Sequence, residues 1–178
     1  MTSPYRIRRA GPEDVLKLPR VEREAVSVFS EFREQLGLGP VVRVSSVETI
    51  RAAQEAERLW VAADGEDSPV GFAMVREIDG YAHLHQLNVL PDHTRKGLGA
   101  ALLQTVCEWA RECGYPGVTV FTFRGIPWNE PFYARHGFRV LQAEELTAGL
   151  AQIVEVERTR GVRMDRRVSM RLDLEYDR

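Results

Sequence analysis

Cysteine and lysine are both scarce in this chain. The two cysteines, Cys107 and Cys113, fall within one helical pattern but more than a turn apart, so we expect no disulfide between them. With the 4 histidines they form no metal-ligand spacing, and we expect no bound metal. Unpaired cysteines fit a reducing cytoplasm. Only Lys17 and Lys96 are lysines among the 24 basic residues, so arginine carries almost all the positive charge.

Long apolar runs and an excess of charge are also absent. No run approaches the ~20 apolar residues that a membrane span needs, and the opening MTSPYRIRRA has no apolar core of the kind found in signal peptides. The net charge of -2 gives no whole-protein attraction to nucleic acid or to an anionic membrane. We therefore expect a cytoplasmic protein without nucleic-acid or membrane partners, in which any anion site is local.

The length indicates one domain. A chain of 178 residues, 44% of them hydrophobic, can build one sizeable core. Without an internal repeat or a linker, residues 1–178 are predicted to form a single domain. Its chemical motifs lie in about 60–141, and a C-terminal helix and strand occupy 142–178.

Local patterns predict alternating strands and helices in the N-terminal part. The segment YRIRRA alternates as an edge strand does, and the turn at 11–14 is expected to open a helix with acids in its first turn. Apolar residues recur at helical spacing over 18–36, which predicts one amphipathic helix. Ser46 is a predicted cap for a shorter helix after it.

Three predicted strands follow, connected by short turns. The segments RLWVAAD and PVGFAMVREI are joined by DGEDS, and a turn at Asp79 and Gly80 leads into YAHLHQLNVL. These turns predict an antiparallel meander of strands two to four. A glycine loop comes next, then a helix ending at Gly114 and a buried strand, GVTVFTF.

The last part continues the alternation. The segment NEPFYARHGF predicts a short helix that Asn129 caps and Gly137 ends. FRVL is a predicted strand, 144–159 a predicted helix and RRVSMRLDL a final strand. The order predicts an α/β (α+β) fold, with a mixed, mostly antiparallel central sheet flanked by helices on both faces.

The stretch HLHQLNVLPDHTRKGLGAALL leads from a predicted strand through a cationic, glycine-containing loop into a helix. A P-loop would need G-x-x-x-x-G-K followed by Ser or Thr, and a dinucleotide fingerprint would need glycine at Leu102, so neither pattern fits. The backbone N–H groups of 94–100 start a helix and form an anion site, to which Arg95 and Lys96 add charge. An ordinary turn with solvated cations is the alternative.

Two segments resemble one enzyme family. PDHTRKGLGAALL resembles the acyl-CoA pyrophosphate loop of the GNAT superfamily of N-acetyltransferases, [QR]-x-x-G-x-[GA], although Thr94 stands where the family has Gln or Arg. FYARHGFRVL resembles the family's Y-x-x-x-G-F helix and its following strand. The two blocks stand in the family's order, and the likeness extends from about Trp60 to Leu141.

The resemblance implies acetyl-CoA as the co-substrate. In the family the fourth and fifth strands splay apart, and free backbone groups of the fourth strand bind the pantetheine arm and the acetyl oxygen. Here those groups would belong to Leu87, Asn88 and Val89. The pyrophosphate would be bound by Thr94, Arg95, Lys96, Gly97, Leu98, Gly99 and Ala100.

Tyr133 matches the family tyrosine that protonates the leaving thiolate. A phenol of pKa ~10 is protonated at neutral pH and can donate to a nascent thiolate. A tyrosine packed in its helix, with its hydroxyl hydrogen-bonded, is the structural alternative. The family asparagine seven residues earlier would fall on Ile126, and Asn129 is the candidate to replace it in cofactor binding. A helix cap is an equally good role for Asn129.

Three residues are candidates for the general base. His83 and His85 lie on the same face of the predicted strand, and His83 stands where some family members have a catalytic glutamate. Histidine, with an ordinary pKa of ~6.5, suits a base near neutral pH. Glu22 is the third candidate, because the family places its early helices over the acceptor cleft. For the carboxylates of Glu22 and Glu24 a solvated helix face is the more ordinary role.

These features predict an N-acetyltransferase that moves the acetyl group from acetyl-CoA to a primary amine by direct attack. A non-catalytic acyl-CoA-binding regulatory module is the alternative, since it shares the loop but needs neither acid nor base. The acceptor is a small-molecule or peptide amine that the sequence does not identify, although Trp128 and Phe123 could line its pocket if they are not core residues. The C-terminal strand could pair with a second copy to form a homodimer.

Overall fold

The structure is a computed structural model that describes residues 4–41 and 43–175. These residues form a mixed sheet of 7 strands with helices between them. The strands are β1 (Arg6–Arg9), β2 (Leu59–Ala63), β3 (Pro69–Ile78), β4 (Tyr81–Val89), β5 (Gly117–Phe123), β6 (Arg139–Val140) and β7 (Arg167–Asp173). The α-helices are α1 (Leu18–Ala25), α2 (Arg33–Leu36), α3 (Val47–Glu55), α4 (Leu98–Glu112), α5 (Glu130–Arg135) and α6 (Ala148–Thr159).

The strand order in the sheet is β1-β2-β3-β4-β5-β7-β6. Strand β2 pairs antiparallel with β1 and with β3, and β7 pairs antiparallel with β5 and with β6. Strands β4 and β5 are parallel neighbours, and they are the pair that the predicted splay concerns. The predicted α/β fold with a mixed, mostly antiparallel sheet is confirmed.

The position of β7 corrects the expected route to a homodimer. This C-terminal strand lies between β5 and β6, with Phe123 of β5 opposite Arg167 and Val140 of β6 opposite Met170. Because both neighbours are strands of the same chain, β7 is not the edge of the sheet. The edge strands are β1 and β6.

The described chain divides into two compact units. The first consists of the described parts of Met1–Ser30, Val41–Arg76 and Leu84–Trp109, and the second of those of Glu31–Pro40, Glu77–His83 and Ala110–Arg178. Burying one aliphatic or aromatic core side chain contributes about 1.5–3 kcal/mol. In the first unit such a core is formed by Ala10, Val15, Leu18, Val21, Ile50, Leu59, Val61, Phe72 and Met74.

Local start and stop signals work as the sequence predicts. The Ser46 hydroxyl accepts a hydrogen bond from the Thr49 N–H at 3.2 Å and starts α3. Gly114 follows the end of α4 with φ +80°, and Gly137 follows the end of α5 with φ +86°. Both glycines hold left-handed conformations that end helices at low cost.

The single helix predicted over 18–36 is wrong. Helix α1 ends at Ala25, Val26–Phe32 form a 3-10 helix, and α2 adds only one further turn. The interrupting sequence VSVFSEF is rich in β-branched and serine residues, which are poor helix formers. The Ser27 hydroxyl also donates to the Glu24 carbonyl oxygen at 2.6 Å, a local bond of the kind that competes with helical pairing.

The turn at 11–14 does not open the helix either. Helix α1 begins later, at Leu18, and has no acid in its first turn. The Asp14 carboxylate instead accepts the Gly11 N–H at 2.8 Å and the Arg8 guanidinium at 2.6 Å. Asp14 therefore ties the turn to β1 and caps no helix.

The C-terminal elements are shorter than predicted. The helix expected over 144–159 is divided into a 3-10 turn, Ala143–Glu145, and helix α6. Leu146 between them has φ -68° and ψ 126°, an extended conformation that interrupts the helix.

Candidate active site

The predicted pyrophosphate loop connects β4 to α4. A 3-10 turn, Pro91–His93, follows β4, and α4 begins at Leu98, whose side chain is buried. The Ala101 N–H donates to the Gly97 carbonyl oxygen at 3.0 Å, so the N–H groups of 98–100 precede the helical hydrogen bonds. These amides are the donors that the predicted anion site needs.

The backbone of the loop is open to a ligand. Gly97 has φ +79°, and a Cβ at this position would meet no other atom within 4 Å. Arg95 also has a positive φ, +57°, which costs on the order of 1 kcal/mol for a residue with a side chain. The left-handed turn leaves the backbone open to the close approach that the predicted anion site requires, and Arg95 and Lys96 are both exposed beside it.

The side chains of Thr94 and Lys96 both form hydrogen bonds within the protein. Thr94 Oγ1 donates to the Pro91 carbonyl oxygen at 2.8 Å, so the residue at the family's Gln or Arg position closes the preceding turn. Lys96 Nζ donates to the Tyr5 hydroxyl at 2.9 Å, and this hydroxyl also hydrogen-bonds His93 Nδ1 at 3.0 Å. Tyr5 thus connects the segment before β1 to the loop.

Strand β4 presents its backbone groups alternately to its two sides. The Leu90 N–H, just after the strand, donates to the Val70 carbonyl oxygen of β3 at 2.8 Å. Because backbone groups two residues apart point the same way, those of Asn88 also face β3, and those of Leu87 and Val89 face away from it. Of the three residues predicted for the acetyl and pantetheine contacts, Leu87 and Val89 therefore have backbone groups on the side of β4 away from β3.

Tyr133 is buried in the short helix α5. It is 7% exposed, and its ring meets Phe132 and Phe138 edge-on, with centroid distances of 5.1 and 5.6 Å. Burial raises the pKa of the phenol well above its ordinary value, while the positive charge of Arg167 acts in the opposite direction. The hydroxyl is therefore protonated at neutral pH, as a general acid must be.

Asn129 starts α5 through its backbone. Its carbonyl oxygen accepts the N–H groups of Phe132 and Tyr133, at 2.9 and 3.2 Å. Its side chain makes no capping bond, so the predicted side-chain cap is wrong. Side-chain Oδ1 instead accepts the Thr122 hydroxyl at 2.9 Å. Ile126, at the position of the family asparagine, is buried.

The two histidines of β4 differ in their surroundings. His83 is 3% exposed, and its Nδ1 lies 2.9 Å from the hydroxyl of buried Thr119. Its ring also meets Phe121 edge-on at 5.5 Å. His85 is half-buried. The fixed ring of His83 suits either a positioned base or a structural histidine.

Glu22 is not on a solvated helix face, contrary to the ordinary expectation for it. It is 2% exposed and accepts the Ser45 N–H at 2.9 Å and the Ser45 hydroxyl at 3.4 Å. Burial raises the pKa of its carboxyl, and the two bonds from Ser45 oppose that shift. Glu24, in contrast, pairs with exposed Arg20 at 2.7 Å.

The two aromatic candidates for an acceptor pocket also differ. Trp128 is 44% exposed and meets Phe32 edge-on at 5.7 Å, so it is not a core residue. Phe123 is half-buried, and the Arg167 guanidinium lies 4.5 Å from its ring centroid. Two bonds of 2.7 Å to the Glu157 carboxylate hold that guanidinium in place.

The predicted site residues are distributed over both units. The loop, Glu22, His85, Leu87 and Val89 belong to the first unit, and His83, Asn129 and Tyr133 to the second. Sequence reasoning missed the partners that fix these side chains, namely Tyr5, Ser45, Thr119, Thr122 and Arg167. No local signal marks them, because each contact joins segments that are distant in sequence or belong to different elements.

Metal-binding clusters and membrane-spanning helices are both absent from the described ranges. In residues 4–41 and 43–175, no group of 3 or more His, Cys, Asp or Glu is placed to hold a metal ion. Within the same ranges, no helix has the length and apolar character needed to cross a membrane. Among the described residues, Cys107 and Cys113 form no disulfide.

Comparison with known proteins identifies the family. The model of the acetyltransferase (GNAT) family matches residues 24–138. The chain belongs to this family. The uncharacterized N-acetyltransferase YjcF of Bacillus subtilis is 35% identical over 100 residues, which cover 56% of this chain and 68% of YjcF. The peptidyl-lysine N-acetyltransferase YjaB of Salmonella typhimurium is 27% identical over 140 residues, or 79% of this chain and 87% of YjaB.

Solved structures agree on the fold. N-acetylglutamate synthase from Neisseria gonorrhoeae, complexed with coenzyme A and N-acetyl-glutamate, aligns with 99% of this chain at a TM-score of 0.71 and 17% identity. This GNAT chain spans 36% of the length of that synthase. At this identity the similarity shows the fold alone.

Family membership confirms the predictions of the enzyme class and its donor. The protein is a GNAT acyltransferase, an N-acetyltransferase that uses acetyl-CoA as co-substrate, with the amine acceptor unspecified. The loop fits this donor, because it combines free helix-start amides, an open glycine turn and two exposed cations. The regulatory, non-catalytic alternative is not favoured.

Proposed function

We propose that this GNAT enzyme transfers the acetyl group directly to a primary amine, with Tyr133 as the general acid. The observation that carries the proposal is the buried, protonated phenol of Tyr133 on α5. A purely CoA-binding module would have no need of a buried proton donor at this position. The amides of 98–100, with Arg95 and Lys96, would bind the pyrophosphate.

The proposed reaction needs no covalent enzyme intermediate. The amine nitrogen bonds to the thioester carbonyl carbon, and the carbon–sulfur bond breaks. The amine loses one proton to a base, and the thiolate gains one from Tyr133. Backbone N–H groups of Leu87 or Val89 would stabilise the carbonyl oxygen as it gains charge, a contribution that is often large. Neither cysteine is proposed as a nucleophile.

Three residues remain proposed bases. His83 is supported by its fixed ring, which Thr119 orients through Nδ1. Glu22 is supported by its raised pKa, because a carboxylate becomes a better base as its pKa approaches neutral pH. His85 is supported by its position in β4 next to Leu87 and by its partial exposure. A water molecule would relay the proton from the amine to a buried base.

The acceptor is proposed to be a small-molecule or peptide amine. YjaB is named a peptidyl-lysine acetyltransferase, which supports testing lysine peptides beside small amines. Exposed Trp128, in contact with Phe32, is a proposed part of the acceptor surface. Cysteines that form no disulfide support a reducing cytoplasm as the location, and nucleic acid and membrane are not proposed as partners. A homodimer is proposed only through a surface other than β7.

Calorimetry and a thiol-release assay test this function. Acetyl-CoA is titrated into the native protein, and release of free CoA is then followed with a panel of small amines and lysine peptides. We expect saturable binding and amine-dependent thiol release. If the native protein does not bind acetyl-CoA at millimolar concentration, the proposed donor site is refuted. If it binds acetyl-CoA but releases no CoA with any amine of the panel, the non-catalytic module is favoured.

A further inference from the structure

Three side chains meet beside the predicted pyrophosphate loop, within the first unit of the structure. Lys96 Nζ donates to the Tyr5 hydroxyl at 2.9 Å, and the same hydroxyl lies 3.0 Å from His93 Nδ1. The rings of Tyr5 and His93 meet edge-on, with centroids 5.6 Å apart. The Lys96 ammonium also lies 5.5 Å from the Tyr5 ring centroid, within the range of a cation–π contact. Tyr5 lies outside both family motifs and still contacts the loop lysine in two ways.

Hydrogen-bonded backbone supports both residues that lie next to Lys96. Tyr5 directly precedes β1, whose first residue, Arg6, pairs with Ala63 of β2. His93 ends the 3-10 turn after β4, and its N–H donates to the Leu90 carbonyl oxygen at 2.9 Å. Lys96, in contrast, is exposed in the loop itself. A phenol supported by the sheet therefore restrains a long side chain of the loop.

The donors and acceptors of the three groups fit one chain of hydrogen bonds. An ammonium can only donate, so the Tyr5 oxygen is the acceptor for Lys96. The phenol keeps its own hydrogen, which Nδ1 of a neutral His93 ring can accept. A phenol also differs from a carboxylate, because it binds the ammonium without cancelling its charge. The positive charge of Lys96 is therefore retained for an anion.

The restrained ammonium can still bind a phosphate. Lysine has three N–H donors, and the bond to Tyr5 uses one of them. A lysine side chain has many rotamers, and it loses that freedom when a ligand immobilises it. Contact with Tyr5 restricts the rotamers before the ligand arrives. Immobilising one such side chain costs about twofold to tenfold in affinity, and this cost is reduced when the side chain is already held.

We propose that Tyr5 is a positioning residue that holds the Lys96 ammonium for a phosphate group of acetyl-CoA, and that His93 orients the Tyr5 hydroxyl. This inference rests on the proposed function, in which the loop binds the donor. Tyr5 and His93 make no contact with the donor and act through Lys96. If Tyr5 only packed against the loop, its loss would weaken the use of every acetyl donor alike.

The test measures Tyr5→Phe and His93→Phe with donors that carry different phosphates. Both variants keep a ring and remove one hydrogen-bonding atom. We expect KM for acetyl-CoA to rise about twofold to tenfold in Tyr5→Phe, with kcat unchanged, and to rise less in His93→Phe. Acetyl-pantetheine has no phosphate, so both variants should use it with the native kcat/KM. Its turnover also shows that the variants are folded.

Acetyl-dephospho-CoA distinguishes the two kinds of phosphate in the donor. It retains the pyrophosphate but lacks the phosphate on the ribose. A rise in its KM equal to that for acetyl-CoA assigns the Lys96 contact to the pyrophosphate. A rise for acetyl-CoA alone assigns the contact to the ribose phosphate.

Lys96→Met shows whether Tyr5 acts through the lysine. Methionine keeps an unbranched apolar chain and removes the charge. Tyr5→Phe added to Lys96→Met should raise KM for acetyl-CoA no further, since the group that Tyr5 positions is already gone. Tyr115→Phe is the matched control, because it removes a phenol hydroxyl that donates to the Glu77 carboxylate at 2.8 Å in the second unit. This control should leave KM unchanged.

Three results would overturn the inference. They are an unchanged KM for acetyl-CoA in Tyr5→Phe, an equal loss with acetyl-pantetheine, and a further rise in KM when Tyr5→Phe is added to Lys96→Met. If the native enzyme binds and turns over acetyl-CoA, each of these results leaves the proposed function standing. If the native enzyme does not bind acetyl-CoA, the proposed function fails and this inference fails with it.

Discussion

At the residue scale, two opposing effects set the acid strength of Tyr133. Burial disfavours the phenolate and raises the pKa of the phenol, and the nearby charge of Arg167 favours the phenolate. In the proposed reaction, the first effect would keep the proton on the hydroxyl until the thiolate forms. The second reduces the cost of releasing it. Arg167 can exert this influence because Glu157 and the rings of Phe121 and Phe123 hold its guanidinium in place.

Replacement of this hydroxyl should separate catalysis from binding. Tyr133→Phe is expected to lower kcat by roughly 10²-fold, the typical contribution of a general acid, and to leave acetyl-CoA affinity unchanged. Thiol release and calorimetry measure the two quantities. Tyr115→Phe is the control, because it removes an exposed hydroxyl that donates to the Glu77 carboxylate at 2.8 Å and has no proposed role in binding or catalysis. Native turnover in Tyr133→Phe would exclude Tyr133 as the acid.

Glu22 should make the stability of the protein depend on pH. Its pKa is raised in the folded state, so between its unfolded and folded pKa values the folded protein binds more protons. The free energy of unfolding therefore falls as pH rises through that window. Glu22→Gln removes the titration and preserves an oxygen for the Ser45 N–H. We expect the variant to exceed the native protein in stability at neutral pH by about 1 kcal/mol, and by less in acid.

Urea denaturation from mildly acidic to neutral pH measures this difference. Glu24→Gln is the control, since Glu24 is partly exposed and paired with Arg20, and it should change stability by less than about 1 kcal/mol. If Glu22→Gln were instead less stable at neutral pH, the bonds from Ser45 to the carboxylate would outweigh its burial cost.

At the scale of elements, Arg8 joins β1 to the segments around it. Its guanidinium pairs with the fully buried carboxylate of Asp14 at 2.6 Å and with the exposed carboxylate of Asp67 at 2.9 Å. The same cation thus has one partner shielded from water and one in contact with it. The difference in burial predicts very different energies for the two pairs.

Substitution of each carboxylate tests that difference. Asp14→Ala removes the buried partner and the acceptor of the Gly11 N–H, so it should cost about 3–5 kcal/mol of unfolding free energy. Asp67→Ala should cost much less than Asp14→Ala, because water and salt screen the exposed pair. Chemical denaturation of both variants gives the comparison. Equal losses of unfolding free energy in the two variants would show that burial does not strengthen the pairing of Arg8 with Asp14.

The elements themselves could be predicted where the signal is local. The cap at Ser46 and the terminating glycines Gly114 and Gly137 act within one turn of the chain, and all three are confirmed. The break in the helix predicted over 18–36 could not be detected from apolar spacing. That spacing continues through VSVFSEF, whereas the α-helical backbone is replaced there by a 3-10 helix. Periodicity describes which face is apolar and does not measure helix propensity.

The site could be predicted only in part, for a similar reason. The glycine loop and Tyr133 belong to short motifs that resemble the family's patterns, so the sequence alone is enough to propose them. The carboxylate of buried Glu22 is bonded by Ser45, 23 positions away, and the Lys96 ammonium donates to Tyr5, 91 positions away. Contacts of this range are set by the fold and leave no spacing to detect.

At the scale of the whole molecule, acetyl-CoA should stabilise the fold as a whole. A ligand that binds only the folded state, at about 100 times its Kd, adds about 2.7 kcal/mol to the free energy of unfolding. For a protein of this size that corresponds to a rise of about 5–10 °C in melting temperature. Scanning calorimetry also tests the single-domain prediction, because one domain should unfold in one transition.

Gly99→Glu should abolish this stabilisation. Gly99 lies in the first turn of α4. A glutamate side chain there would repel a pyrophosphate by its negative charge and would also block its approach sterically. Gly65→Glu is the matched control, because it adds the same charge in the turn between β2 and β3, where a Cβ would meet no atom within 4 Å. We expect the acetyl-CoA shift in melting temperature to persist in Gly65→Glu and to vanish in Gly99→Glu. A full shift in Gly99→Glu would place the pyrophosphate elsewhere than on the 94–100 loop.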